Sequence, residues 1–264
     1  MSREKGGNAV SSAAADAPRV GLFVTCLVDS MRPGIGFAAI ALLEAAGCRV
    51  DIPRRQTCCG QPALNSGDRD GAARVAQHTI ALLEPYDHVV VPSGSCAATI
   101  RVHYPELFEP GTAWHDRAVS VANRTHELLS YLSDIRRWVP EGVGMAASAT
   151  YHDSCSGLRE LGIEAQPRQL LAGVAGLSLR KLEGSDTCCG FGGTFCVKYP
   201  SISNAIVEEK AAHIEATGAD ILLGGDLGCL MNMAGKLHRQ GSSVRAYHAA
   251  EVLAGMANGP AIGG

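Results

Sequence analysis

The chain repeats itself, and the repeat is built around cysteines. The segment VGLFVTC (20–26) returns as SATYHDSC (148–155), TCCGQP (57–62) as TCCGFG (187–192), and HVVVPSGSC (88–96) as DILLGGDLGC (220–229). Four cysteines therefore recur in order: Cys26, Cys58, Cys59 and Cys96, then Cys155, Cys188, Cys189 and Cys229. The intervals nearly match, 32 and 33 residues before the adjacent pair, 37 and 40 after it. A single duplication of this length predicts two similar units about a pseudo-two-fold axis, since a solenoid needs shorter and more numerous repeats. The copies also end alike, with AVSVANRTHELLSYL (118–132) facing SVRAYHAAEVL (243–253). Each is a β-like run followed by a helix, which places His126 and His248 at the openings of those helices in structural roles. The expected division is a disordered leader over 1–18, a first lobe over 19–140, a second over 141–257 and a flexible tail over 258–264.

Within a half, short β-branched runs (Val20–Thr25, Arg49–Ile52, His88–Val91) precede segments with helical spacing, such as Phe37 to Glu44 closed by Gly47. Asn65, Ser66 and Asp68 supply N-cap chemistry for a helix through Leu83. Ser201 or Ser203 would do the same for 205–216, which Gly218 stops. Strands alternating with helices predict an α/β fold in two pseudo-symmetric lobes, each a small parallel sheet flanked by helices. In such sheets ligands bind beyond the carboxyl ends of the strands. Each repeated cysteine falls just past such an end, so each half is expected to gather its four thiols in a crevice. Helix N-termini pointing there would favour the thiolate form that binds metal.

Composition removes other classes of function. With 23 Lys and Arg against 26 Asp and Glu, there is no basic excess to attract nucleic acid or anionic lipid. No uncharged apolar run reaches the roughly 18–20 residues of a membrane span, and residues 1–18 contain no apolar core of a secretory signal. A cytoplasmic setting follows as the expectation, and there ten cysteines are more readily metal ligands or redox groups than disulfides. Cys48 has no counterpart and reads as packing. Cys196, in the Gly-rich CCGFGGTFC loop, is open between ligand and neighbour of the second site, and His152 beside Asp153 in HDSC is a second possible neighbour. Gly190, Gly192 and Gly193 do not fit the dinucleotide pattern GxGxxG and instead let backbone N–H groups approach sulfur. Zinc accepts four thiolates, but its usual CxxC knuckles are absent. Iron–sulfur clusters take four cysteines from separate loops and are favoured, one or two per chain, with zinc as the alternative in one half.

The strings RQTCCGQPALNSGD, YHDSCSGLRELGI, DTCCGFGGTFCVKYP and GGDLGCLMNMAGKLHRQG resemble the duplicated CCG cysteine-rich proteins, which include the cysteine-rich subunit of heterodisulfide reductase, the iron–sulfur subunit of glycolate oxidase and the lactate utilization proteins. The resemblance runs from Arg19 to about Gly255. It implies a cytosolic redox subunit working with two further subunits, one carrying ferredoxin-type iron–sulfur motifs, in oxidising L-lactate to pyruvate. It also implies the eight repeated cysteines as cluster ligands. The heterodisulfide reductase type ends each copy in CxxC, whereas here Ser93 and Asp226 stand at the first of those positions. A ferredoxin-like CxxCxxC run is also missing, so an isolated chain is expected to be inactive without its partners. The alternatives are a thiol- or zinc-stabilised assembly module with no redox role, and a heterodisulfide-reductase-like thiol redox subunit.

Overall fold

A computed structural model describes residues 17–263, and most of the expected leader lies outside the described residues. Two four-stranded sheets account for the β structure. The first contains β1 (Arg19–Leu22), β2 (Arg49–Asp51), β3 (His88–Val91) and β4 (Thr125–Glu127) in the order β2-β1-β3-β4. The second contains β5 (Gly144–His152), β6 (Ala175–Arg180), β7 (Ile221–Gly224) and β8 (Arg245–His248) in the order β6-β5-β7-β8. Every strand pair is parallel. The chain is thus an α/β protein of two like lobes, each a small parallel sheet flanked by helices.

Alternation along the strands divides the core into three layers. Val20, Leu22 and Val90 of the first sheet share one cluster with Ala149, Tyr151, Ile221, Leu223 and Tyr247 of the second. Leu42 and Leu43 from the helix Gly34–Ala45, Leu170 and Leu171, and Val252 and Leu253 fill the same layer between the sheets. Val89 and Val91 face an outer cluster of the first lobe, and Leu222 and Ala246 face an outer cluster of the second. Each fully buried leucine contributes about 1.5–3 kcal/mol, so the shared middle layer holds the lobes as one body. The Arg32 guanidinium reinforces it with a 2.8 Å ion pair to the buried Glu251.

Local chemistry sets the element ends, and several differ from the expectation. β1 stops at Leu22 rather than Thr25, because the Thr25 hydroxyl accepts a hydrogen bond from Val28 N and turns the chain into the helix Cys26–Met31. Asp68 alone caps the helix Arg69–Leu83, accepting from Gly71 N at 2.8 Å. In the second lobe neither serine is the cap. The helix begins at Pro200, whose fixed φ suits a first helical position, leaving Ser201 and Ser203 inside it. His248 caps its helix as expected, whereas His126 sits within β4 and the next residue, Glu127, is the cap. The tail is not free: Ile262 N donates to Ala246 O at 2.9 Å and its side chain is buried against the second lobe, since it fills apolar surface beside β8.

Candidate metal centre

Four of the repeated cysteines sit at helix starts, and the two adjacent pairs sit on loops rather than directly at strand ends. Cys26 and Cys155 are the first residues of the helices Cys26–Met31 and Cys155–Leu161, capped by the Thr25 and Ser154 hydroxyls. Cys96 and Cys229 are the third residues of the helices Gly94–Ala98 and Leu227–Arg239, capped by Ser93 and Asp226. The sites where a CxxC would place a further thiol therefore hold capping oxygens. The pairs Cys58–Cys59 and Cys188–Cys189 lie on loops that reverse through left-handed glycines, Gly60 at φ +86° and Gly190 at φ +80°. A Cβ on Gly190 would stand 2.7 Å from Ser203 O, so both conformation and space require the third letter of CCG to be glycine.

The thiols of each half are close neighbours. Cys58 lies beside Cys26 and Cys59, and Cys59 Sγ donates to Cys96 Sγ at 3.3 Å. In the second half Cys188 lies beside Cys155 and Cys189, and Cys189 beside Cys229. The neighbouring thiols Cys26 and Cys59 pull the Cys58 thiol down to about 2, assisted by the Gly60 N–H at 3.4 Å. Cys155 and Cys189 do the same to Cys188, with Gly190 N–H at 3.3 Å. The partners Cys26, Cys59, Cys155 and Cys189 move upward, first through those same neighbouring thiols and then through burial. One thiolate shared among neighbouring thiols is a donor set in which a soft cation can replace the shared protons, so these residues fit a metal or cluster.

The sequence suggests a crevice for each half; in the structure all eight cysteines line one cavity of about 330 Å³ between the lobes. Its rim is bridged by His103 Nε2, 2.7 Å from Glu160 Oε2 of the other half. Cys196 does not line this cavity, and its Sγ donates to Gly193 O at 3.3 Å. Cys48 is buried in the shared layer, 3.8 Å from the Tyr131 hydroxyl. His152 ends β5 fully buried, and burial pulls its imidazole down to about 3, so it is neutral. The Ser185 carbonyl favours a proton on the ring but lies outside hydrogen-bond geometry, leaving both ring nitrogens without a partner.

The second tier of the site is not evident from the repeat. The Tyr104 hydroxyl donates to Cys59 O at 2.8 Å, and Asn232 Nδ2 donates to Cys189 O at the same distance, fixing each pair's backbone. Ser203 Oγ donates to Gly190 O at 2.8 Å. Lys210, 1% exposed, donates to the carbonyls of Gly184, Ser185 and Thr187 and so holds the loop leading into Cys188. Burial pulls its ammonium down to about 8 against the opposing pull of Cys189. One signal of it is present in the sequence: Lys210 interrupts an apolar stripe of Val207, Ala211 and Ile214, where a charge needs a specific partner.

Comparison with known proteins agrees with this geometry. A protein of unstated function from Helicobacter pylori superposes with a TM-score of 0.66 over 92% of this chain and 49% of its own, at 11% identity, a likeness of fold alone. The profile of the CCG cysteine-rich domain matches residues 20–101 and 149–234, so the two lobes are a tandem pair of that domain class. Proteins named lactate utilization protein A are 47% identical in Shouchella clausii and 46% in an Exiguobacterium species, each match covering 89% of this chain and 98% or 97% of the relative. A Bacillus cereus protein named lactate utilization protein A 2 is 43% identical, with 89% of this chain and 98% of that relative covered. The chain belongs to the lactate utilization protein A family of duplicated CCG proteins.

Proposed function

We propose that this chain is the iron–sulfur redox subunit of a complex that oxidises L-lactate to pyruvate, with Cys26, Cys58, Cys59 and Cys96 holding one cluster and Cys155, Cys188, Cys189 and Cys229 a second. The observation that carries this reading is the convergence of eight thiols, four from each half, on one cavity between the lobes. Lactate oxidation releases two electrons and two protons, and clusters there would supply one-electron acceptors. The chain's own residues do the rest: Gly60 and Gly190 N–H groups stabilise negative sulfur, while Tyr104 and Asn232 hold the two pairs in place. With no ferredoxin-type run in the sequence, the onward electron path leads to a partner subunit that carries one. Exposed Val197, Tyr199 and Ile202, just beyond the second cysteine loop, offer an apolar face for that partner. The expected setting is the cytoplasm, consistent with the finding that no described helix is long and apolar enough to cross a membrane.

The test is iron and acid-labile sulfide content after anaerobic purification. Both elements together support the reading, whereas zinc without sulfide replaces it with an assembly module. Acceptor reduction from lactate, with this chain and the two partner subunits omitted in turn, then assigns the subunit role. Full lactate oxidation by this chain alone would show a self-sufficient enzyme instead.

A further inference from the structure

The two halves diverge at one point that lies against sulfur. Three residues before Cys26 stands Phe23, and three before Cys155 stands His152. Both are 1% exposed. Phe23 is packed in an apolar cluster with Cys59, Val91 and Ile100. His152 has two ring nitrogens with no hydrogen-bond partner, in a layer where unpaired polar atoms are costly. One of its ring nitrogens and the sulfurs of Cys189 and Cys229 supply three donor atoms that all lie within 4.8 Å of one another. Donors around one tetrahedral ion, at ~2.0 Å for nitrogen and ~2.3 Å for sulfur, stand roughly 3.5 Å apart, so a small contraction brings the three to a common centre. A second divergence lies on the same side. Seven residues after Ala72, whose carbonyl faces Gly60, the first half has Thr79; seven after Ser203, whose carbonyl faces Gly190, the second has Lys210.

We propose that His152 is a ligand of the second centre, sharing its metal with Cys189 and Cys229, so that the first centre is bound by sulfur alone and the second by sulfur and imidazole. This rests on the reading that the tetrads hold clusters. At the metal it binds, His152 occupies a position that a thiolate of the tetrad would otherwise fill, and exchanging thiolate for neutral imidazole at an iron raises its reduction potential. The Lys210 ammonium acts in the same direction by favouring the more negative, reduced state. Electrons that cross the cavity therefore run from the first half to the second, and leave the chain beside the exposed Val197, Tyr199 and Ile202.

The test uses the full chain, loaded anaerobically with ferrous iron and sulfide, reduced with dithionite and labelled with ¹⁵N-histidine. Pulsed paramagnetic resonance should show a nitrogen coupling that changes with the label, and a redox titration should show two midpoints. In His152→Phe the coupling should be lost and the upper midpoint should fall toward the lower, with Lys210 keeping a remainder of the gap. Phe23→His should add a histidine coupling to the first centre. The labelled unmutated chain decides the matter even where a variant fails to fold: iron and sulfide uptake without any histidine coupling overturns this inference alone. Failure to take up iron and sulfide overturns the cluster reading, and this inference with it.

Discussion

Glu127 and His248 occupy the same place in the two halves, each ending an edge strand and capping the next helix. Burial pushes the Glu127 carboxyl up to about 7 from its ordinary 4.5, with Asp226 and Asp134 adding to the rise against the Leu129 and Ser130 N–H groups. A carboxyl raised in the folded state is protonated there while the unfolded chain ionises, so stability is full below about 4.5 and falls as pH rises toward 7. The loss is on the order of 3 kcal/mol. Buried His152 and His126, pulled down to about 3 and about 4, move total stability the other way over this range. The Glu127 part is therefore read as the difference in unfolding free energy between wild type and Glu127→Gln, which should decline across pH 4–8; a difference that stays flat would refute the assignment. At the centre itself, Cys188→Ser should remove the second half's cluster, roughly half the iron and sulfide where both halves are loaded, while Cys48→Ser leaves the content unchanged. The cysteines are legible in the sequence because type and spacing repeat. The orphaned state of His152 is not, because it depends on which atoms surround the ring in three dimensions.

Elements follow local chemistry closely enough that most can be read from the residues. β3 coincides with the expected 88–91, and Asp68 caps the helix that runs to Leu83. Asp68→Ala removes the acceptor for Gly71 N and should cost about 1 kcal/mol, read as a lower thermal midpoint with cluster content intact. An unchanged midpoint would mean that the first turn is satisfied by water. The start of the second lobe's long helix departs from the expectation because Ser201 and Ser203 have cap chemistry, yet Pro200 precedes them and starts the helix. The tail departs for another reason: Ile262 is a single apolar residue in a glycine-rich segment, too short to show any period, and only the face beside β8 gives it a place.

At the scale of the whole molecule, the placement of the lobes makes one cavity where the repeat alone suggests two. That outcome rests on the shared middle layer, and apolar residues such as Leu42 and Leu170 do not announce which sheet they will meet. The exposed residues beyond the second cysteine loop lead to a prediction of assembly. Val197, 79% exposed, should tolerate Val197→Asp without loss of stability or iron, since it packs little, but the variant should bind the ferredoxin-type subunit at least about tenfold more weakly. Equal co-elution of variant and wild type with that subunit would place the contact elsewhere.

Ser93 and Asp226 are counterparts, each three residues before the last cysteine of its half, and they meet: Ser93 Oγ and Ser95 N both donate to Asp226 Oδ2 at 3.0 Å. In a homodimer of identical halves, a residue on the two-fold axis faces its own copy, so the pair would be serine on serine or carboxylate on carboxylate. Covalent fusion lifts that self-complementarity. It allows a donor to be set against an acceptor at the centre of symmetry, and it lets each copy drift toward its own task while the partner remains in register.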